Sequence, residues 1–123
     1  MTTPKQRNER LLQVVRVLRE LPTSKELSLG RWYTCGTIAC AIGWSAADPW
    51  FKRLGFQLLK VRWCQPNTHR PAFKEYRDFA AVYAFFGLGA DDAIHLFTAE
   101  GYRHGTSRNV IRRIEKYVRD NPA

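Results

Sequence analysis

Residues 37–47 read Thr-Ile-Ala-Cys-Ala-Ile-Gly-Trp-Ser-Ala-Ala, a run with almost nothing to offer water on any side. A helix that is apolar all round belongs in the middle of a core rather than on a surface. The run is also well short of the roughly 20 apolar residues that a membrane span requires. The expected fold is therefore mainly α: one small helical bundle over residues 1–123, built around an apolar central helix at 37–47. A chain of this length is near the commonest single-domain size, and its 45% apolar content suffices for one core.

The segments around the central run carry helix punctuation. Thr3 is placed as an N-cap, with Pro4 at the first helical position and Gln6 able to close a capping box. Leu11, Val14, Val15, Leu18 and Leu21 supply an apolar stripe up to about Glu20, before Pro22, while Lys5, Arg10, Arg16 and Arg19 are expected outward. Asp48-Pro49 opens a short helix that Gly55 stops. Residues 56–63 alternate imperfectly and predict a short strand or hairpin, and 64–71, with two prolines and an Asn, predicts a loop. A helix over 73–86 is expected to bury Phe79, Val82, Tyr83 and Phe86 and to end at Gly87, and Asp91-Asp92 opens another that closes around Phe97. The last helix begins at Thr106 or Ser107, with Val110, Ile111, Ile114, Tyr117 and Val118 inward. Its expected outward face is Arg108, Arg112, Arg113, Lys116 and Arg119.

Charge is the second constraint. The formal net charge of +9 is concentrated at the two ends. Residues 1–31 hold seven Lys or Arg against three Glu, and residues 101–123 hold six against two acids. Clustered charge makes a field, whereas scattered charge mostly aids solubility. Trp32, Tyr33, Trp50 and Trp63 add aromatic rings on which bases could stack.

The segment Cys35-Gly36-Thr37-Ile38-Ala39-Cys40 leads to Gly43-Trp44 and Asp48-Pro49-Trp50-Phe51, with Phe85-Phe86-Gly87-Leu88 later. In these motifs the chain resembles a scattered group of small uncharacterised proteins of bacteria and their phages. The resemblance implies a single-domain fold and an intracellular or phage setting, and brings no activity with it.

Three cysteines in a chain whose first 11 residues are polar and charged read as reduced thiols in the cytosol. Cys35-Gly36 is similar to the pair that opens the central helix of papain-like and bacteriocin-leader peptidases, where the helix dipole lowers the thiol pKa. Those enzymes also need a nearby His and an upstream oxyanion donor, and six residues before Cys35 stands Leu29 where they use Gln. The simpler reading of Cys35 is a packed core thiol. Cys35 and Cys40 share with Cys64 and His69 a spacing of four intervening residues, which makes a possible tetrahedral zinc set. His95 and His104 read as surface residues, and Asp91-Asp92 as a helix cap.

With no complete catalytic or metal motif, the sequence points to a non-enzymatic binding protein without a cofactor and without a membrane. Its partner is a nucleic acid or an acidic protein surface, and one form is a phage-type modulator of a host nucleic-acid machine. The residues expected to bind are Arg16 and Arg19 with Arg108, Arg112, Arg113, Lys116 and Arg119. A cysteine hydrolase led by Cys35 and a zinc-stabilised module are the alternatives.

Overall fold

The computed structural model describes residues 2–21, 26–27, 33–34, 38–39, 41–60, 68–97 and 107–123. Helix α1 (Pro4–Arg19) starts where its cap directs. Thr3 Oγ1 accepts from the Gln6 backbone N–H at 3.2 Å, and Gln6 Oε1 accepts from the Thr3 N–H at 3.0 Å. Two of the donors that a helix start leaves without partners are thereby satisfied. Its inward stripe is Asn8, Leu11, Val14, Val15 and Leu18.

Residues 41–46 of the central apolar run are buried as its composition requires, but the helix is shorter than expected. Strand β3 (Ile38–Ala39) occupies the front of the run, and helix α2 (Ala41–Ala46) follows with all six residues buried. Two earlier strands, β1 (Glu26–Leu27) and β2 (Tyr33–Thr34), flank β3, parallel and antiparallel to it respectively. Asp48 then caps α3 (Pro49–Arg53), its Oδ2 accepting from the Trp50 N–H at 3.0 Å. The chain turns out of α3 through Gly55 at φ +90°, a backbone region open to glycine at little cost.

β4 (Phe56–Lys60) is the strand expected at the start of 56–63; positions 61–63 lie outside the described residues. It pairs antiparallel with β5 (Thr68–Phe73), from Phe56 opposite Phe73 to Lys60 opposite His69. β5 corrects the 68–71 part of the loop expected at 64–71; positions 64–67 lie outside the described residues. Proline lacks a ladder donor, which made Pro71 read as a loop residue. Pro71 is opposite Leu58 of β4, but on the other edge of β5 it falls between the stretch paired with β2 and the stretch paired with β6 (Tyr76–Arg77), where neither of those two strands is in register with it. The strand order is β1-β3-β2-β5-β4, with β6 on β5.

The remaining helices are α4 (Asp78–Phe86), α5 (Ala90–Phe97) and α6 (Ser107–Asp120). α4 starts later than the expected 73 because β5, a tight turn and β6 come first. Asp78 opens it at φ +56°, held by a two-pronged ion pair in which Arg70 Nε and Nη2 donate to its carboxylate at 3.1 and 2.6 Å. The buried face of α4 is Ala81, Val82, Phe85 and Phe86; Phe79 and Tyr83, expected inside, are only partly buried. Phe85 stacks on Phe56 at 4.5 Å and meets Phe73 and Phe86 edge-on at 5.2 and 5.0 Å, joining sheet to helices. Such pairs contribute about 0.5–1.5 kcal/mol each beyond area burial.

The protein is thus mainly helical with a small sheet against the helices. The sheet corrects the expectation of a bundle with at most one hairpin: strands of two residues carry too little pattern to be read from sequence. Among the described residues, no helix is long and apolar enough to cross a membrane.

Candidate nucleic-acid interface

α1 and α6 pack side by side and run antiparallel. At one end Asn8 Nδ2 and Arg7 Nη2 donate to the Asn121 carbonyl at 2.9 and 2.8 Å, just past the end of α6. At the other end Arg19 Nη2 reaches Glu115 at 2.9 Å. The seam is apolar because Val110 and Ile114 of α6 are buried, with Ile111, Tyr117 and Val118 partly so, against the stripe of α1.

That packing fixes what is left outside. Positions 108, 112, 115, 116 and 119 share one side of α6 by helical spacing, and of these Arg108, Arg112, Lys116 and Arg119 are exposed. Arg16 and Arg19 are exposed near the end of α1, one turn apart. Two of the six cations have acidic partners: Arg19 pairs with Glu115, and Lys116 Nζ pairs with Asp120 at 2.9 Å. Exposed pairs of this kind contribute about 0–1 kcal/mol each, so they restrain the cations weakly. Among the described residues, Arg16, Arg108, Arg112 and Arg119 have no carboxylate partner.

Arg113, expected on this face, is not part of it. It is 6% exposed, and its Nη1 donates to the His95 carbonyl in the last turn of α5. The final carbonyls of a helix have no partner within it and sit at the negative end of its dipole, so a guanidinium is a suitable cap there. Burial pushes the Arg113 pKa down. Arg10, also expected outward, behaves alike: its Nη1 donates to the Phe85 carbonyl at 2.5 Å near the end of α4, and its guanidinium lies 4.3 Å over the Phe85 ring. Arg7, which the sequence did not single out, holds the end of α6 and lies 5.5 Å over the Tyr117 ring. Among the described residues the arginines thus include three that anchor helix C-terminal ends, Arg70 paired with Asp78, and a set that faces water. In Arg113 the available signal was its place three residues after Val110, at the edge of the apolar sector; Arg7 and Arg10 gave none, because their partners are distant in sequence.

The other expected features contribute less. Trp50 is packed against the core, edge-on to Phe51 at 5.1 Å, and Trp32 and Trp63 lie outside the described residues, as does the side chain of Tyr33. Cys35, Cys40, Cys64 and His104 also lie outside them. His69 sits half-buried on β5, and among the described residues no three His, Cys, Asp or Glu side chains gather as a metal site would require. Helix α2 begins at Ala41 with β3 before it, four positions later than the expected start at Thr37. Asp91 and Asp92 are exposed in the first turn of α5, where their charge favours the helix.

No protein-family model, curated protein or solved structure matches the chain.

Proposed function

We propose that the protein is a non-enzymatic binder of nucleic acid that engages the phosphate backbone through the α1–α6 face. The observation that carries this reading is the row of exposed arginines on two packed helices, four of them without acidic partners among the described residues. Arg108 and Arg119 are separated by eleven residues, about 16 Å along a helix. A duplex presents one phosphate per strand every 3.4 Å of its axis, so the row spans about five phosphates of one strand. Arginine suits this role because its planar fork hydrogen-bonds phosphate oxygens in pairs. Contacts of this kind position a protein on nucleic acid and carry no sequence information, so the expected binding is indifferent to sequence. In the phage or bacterial setting that the Cys-Gly-Thr motif implies, such a face fits a small modulator that covers nucleic acid and obstructs a host machine.

The test is the affinity of labelled duplex DNA and RNA for the protein and for two double variants. Arg112→Gln/Arg119→Gln should weaken binding by roughly tenfold per arginine at 0.1 M salt. Lys52→Gln/Arg53→Gln, which removes the same charge from the exposed end of α3, should weaken it far less. Equal losses would assign the affinity to net charge alone. Absence of binding by both nucleic acids, with an acidic protein bound instead, would replace the reading with its protein-partner form.

A further inference from the structure

On another side of α1 the molecule has a cleft of about 800 Å³, formed with the β5–β6 turn and the junction of α4 and α5. Small-ligand sites typically measure roughly 300–1,000 Å³ and combine apolar walls with a few convergent polar groups. This cleft is lined by Arg10, Lys74, Glu75, Tyr76, Tyr83 and Gly89, among others. Arg10 is fixed from behind, with Nη1 on the Phe85 carbonyl and on Thr2 Oγ1 at 3.2 Å. Its Nε and Nη2 have no acceptor among the described residues. Burial lowers the Arg10 pKa, with Glu9 acting in the opposite direction, so the cation is poorly hydrated and an anion beside it is weakly screened.

The turn itself is unusual. Lys74 and Glu75 link the paired residues Phe73 and Tyr76, and Lys74 takes φ +55°, where glycine is the ordinary occupant of a two-residue hairpin loop. A non-glycine residue held there is a form of local strain that clusters at ligand sites. It places a second cation at the rim, with Nζ 5.2 Å over the Phe73 ring, next to Tyr76, which is 41% exposed although large and aromatic. Among the described residues of the lining Glu75 is the one acid, which leaves a surplus of one positive charge there.

We propose that this cleft binds a small anion of the nucleoside-monophosphate class, its phosphate between Arg10 and Lys74 and its flat base against Tyr76 and Tyr83. Two cations suit a phosphate, and two tyrosine rings suit a flat base. The site is separate from the arginine row of α6, and so can be tested independently of it.

The experiment is titration of the full chain with adenosine monophosphate, adenosine and inorganic phosphate, followed by amide NMR shifts. Adenosine monophosphate should bind near millimolar or tighter, with each fragment at least roughly tenfold weaker, and shifts should concentrate at 74–76 and 83–89. Arg10→Gln removes the deeper cation but also an anchor of α4, so two milder variants carry the test. Lys74→Gly removes the charge and suits the backbone, and should weaken the nucleotide at least fivefold while melting no lower than wild type; Tyr76→Ala should weaken it similarly. Arg112→Gln should leave it unchanged. No shifts at millimolar nucleotide, or affinity that survives Lys74→Gly and Tyr76→Ala but falls in Arg112→Gln, would overturn the proposal.

Discussion

Replacing Arg113 by Ala separates an anchoring arginine from one proposed to bind, because its neighbour Arg112 is exposed on the same helix and serves as the control. Truncation removes the charge-assisted hydrogen bond to the His95 carbonyl, about 1.5–3 kcal/mol. It also removes the two buried methylenes beyond Cβ, about 1.6 kcal/mol together. Against this, the variant no longer buries a charged group, which returns part of that loss. The net loss is about 2 kcal/mol. With an unfolding entropy of about 2.1 cal/mol/K per residue, a chain of 123 residues loses about 8 °C in Tm for that change. Arg112→Ala should stay within about 0.5 kcal/mol, or 2 °C. Thermal unfolding by circular dichroism measures both, and duplex binding below the melting range completes the comparison: Arg112→Ala weakens it and Arg113→Ala does not. An Arg113→Ala protein that melts with wild type and loses as much DNA affinity as Arg112→Ala would refute the assignment of Arg113 to the end of α5.

Other outcomes follow from the same contacts. Thr3→Ala removes one half of the capping box and should cost about 1 kcal/mol in denaturant unfolding, with Thr3→Ser largely restoring it. Gly87→Ala should cost about 1–2 kcal/mol, because Gly87 takes φ +67° and an added Cβ would meet Thr2 at 3.1–3.3 Å. The Tyr117 hydroxyl has its pKa raised, first by desolvation, with Arg7 opposing and Asp92 adding. The folded protein then holds that proton above pH 10 where the unfolded chain has begun to lose it, so its contribution is intact below pH 10 and stability falls as pH rises beyond. Urea unfolding at pH 9 and pH 11 should show a smaller drop for Tyr117→Phe than for wild type; an equal drop would remove Tyr117 from the account.

Features set by near neighbours were legible in the sequence. Thr3-Pro4 with Gln6, Asp48-Pro49, Gly55 and Gly87 each act over one turn, and each begins or ends an element where expected. The burial of 41–46 was legible because a segment without a polar face has one environment open to it. The sheet was not, since β1, β2, β3 and β6 are two residues long and exist only through partners distant in sequence. The arginines divide in the same way. Arg108, Arg112 and Arg119 lie opposite the apolar sector of α6 and face water, as periodicity predicts. Arg7, Arg10 and Arg113 were turned to carbonyls at helix ends, and no local pattern announces where another helix will stop.

The most direct test of the α1–α6 face is the salt dependence of duplex DNA binding. Affinity falls with a logarithmic slope of about −0.9 per phosphate neutralised, so Arg16, Arg108, Arg112 and Arg119 predict a slope of about −3.6 and a loss of roughly 150-fold between 50 and 200 mM salt. The Arg112→Gln/Arg119→Gln protein should lower the magnitude of that slope by about 1.8. No duplex binding at 50 mM salt, or a slope that the double variant leaves unchanged, would contradict the account.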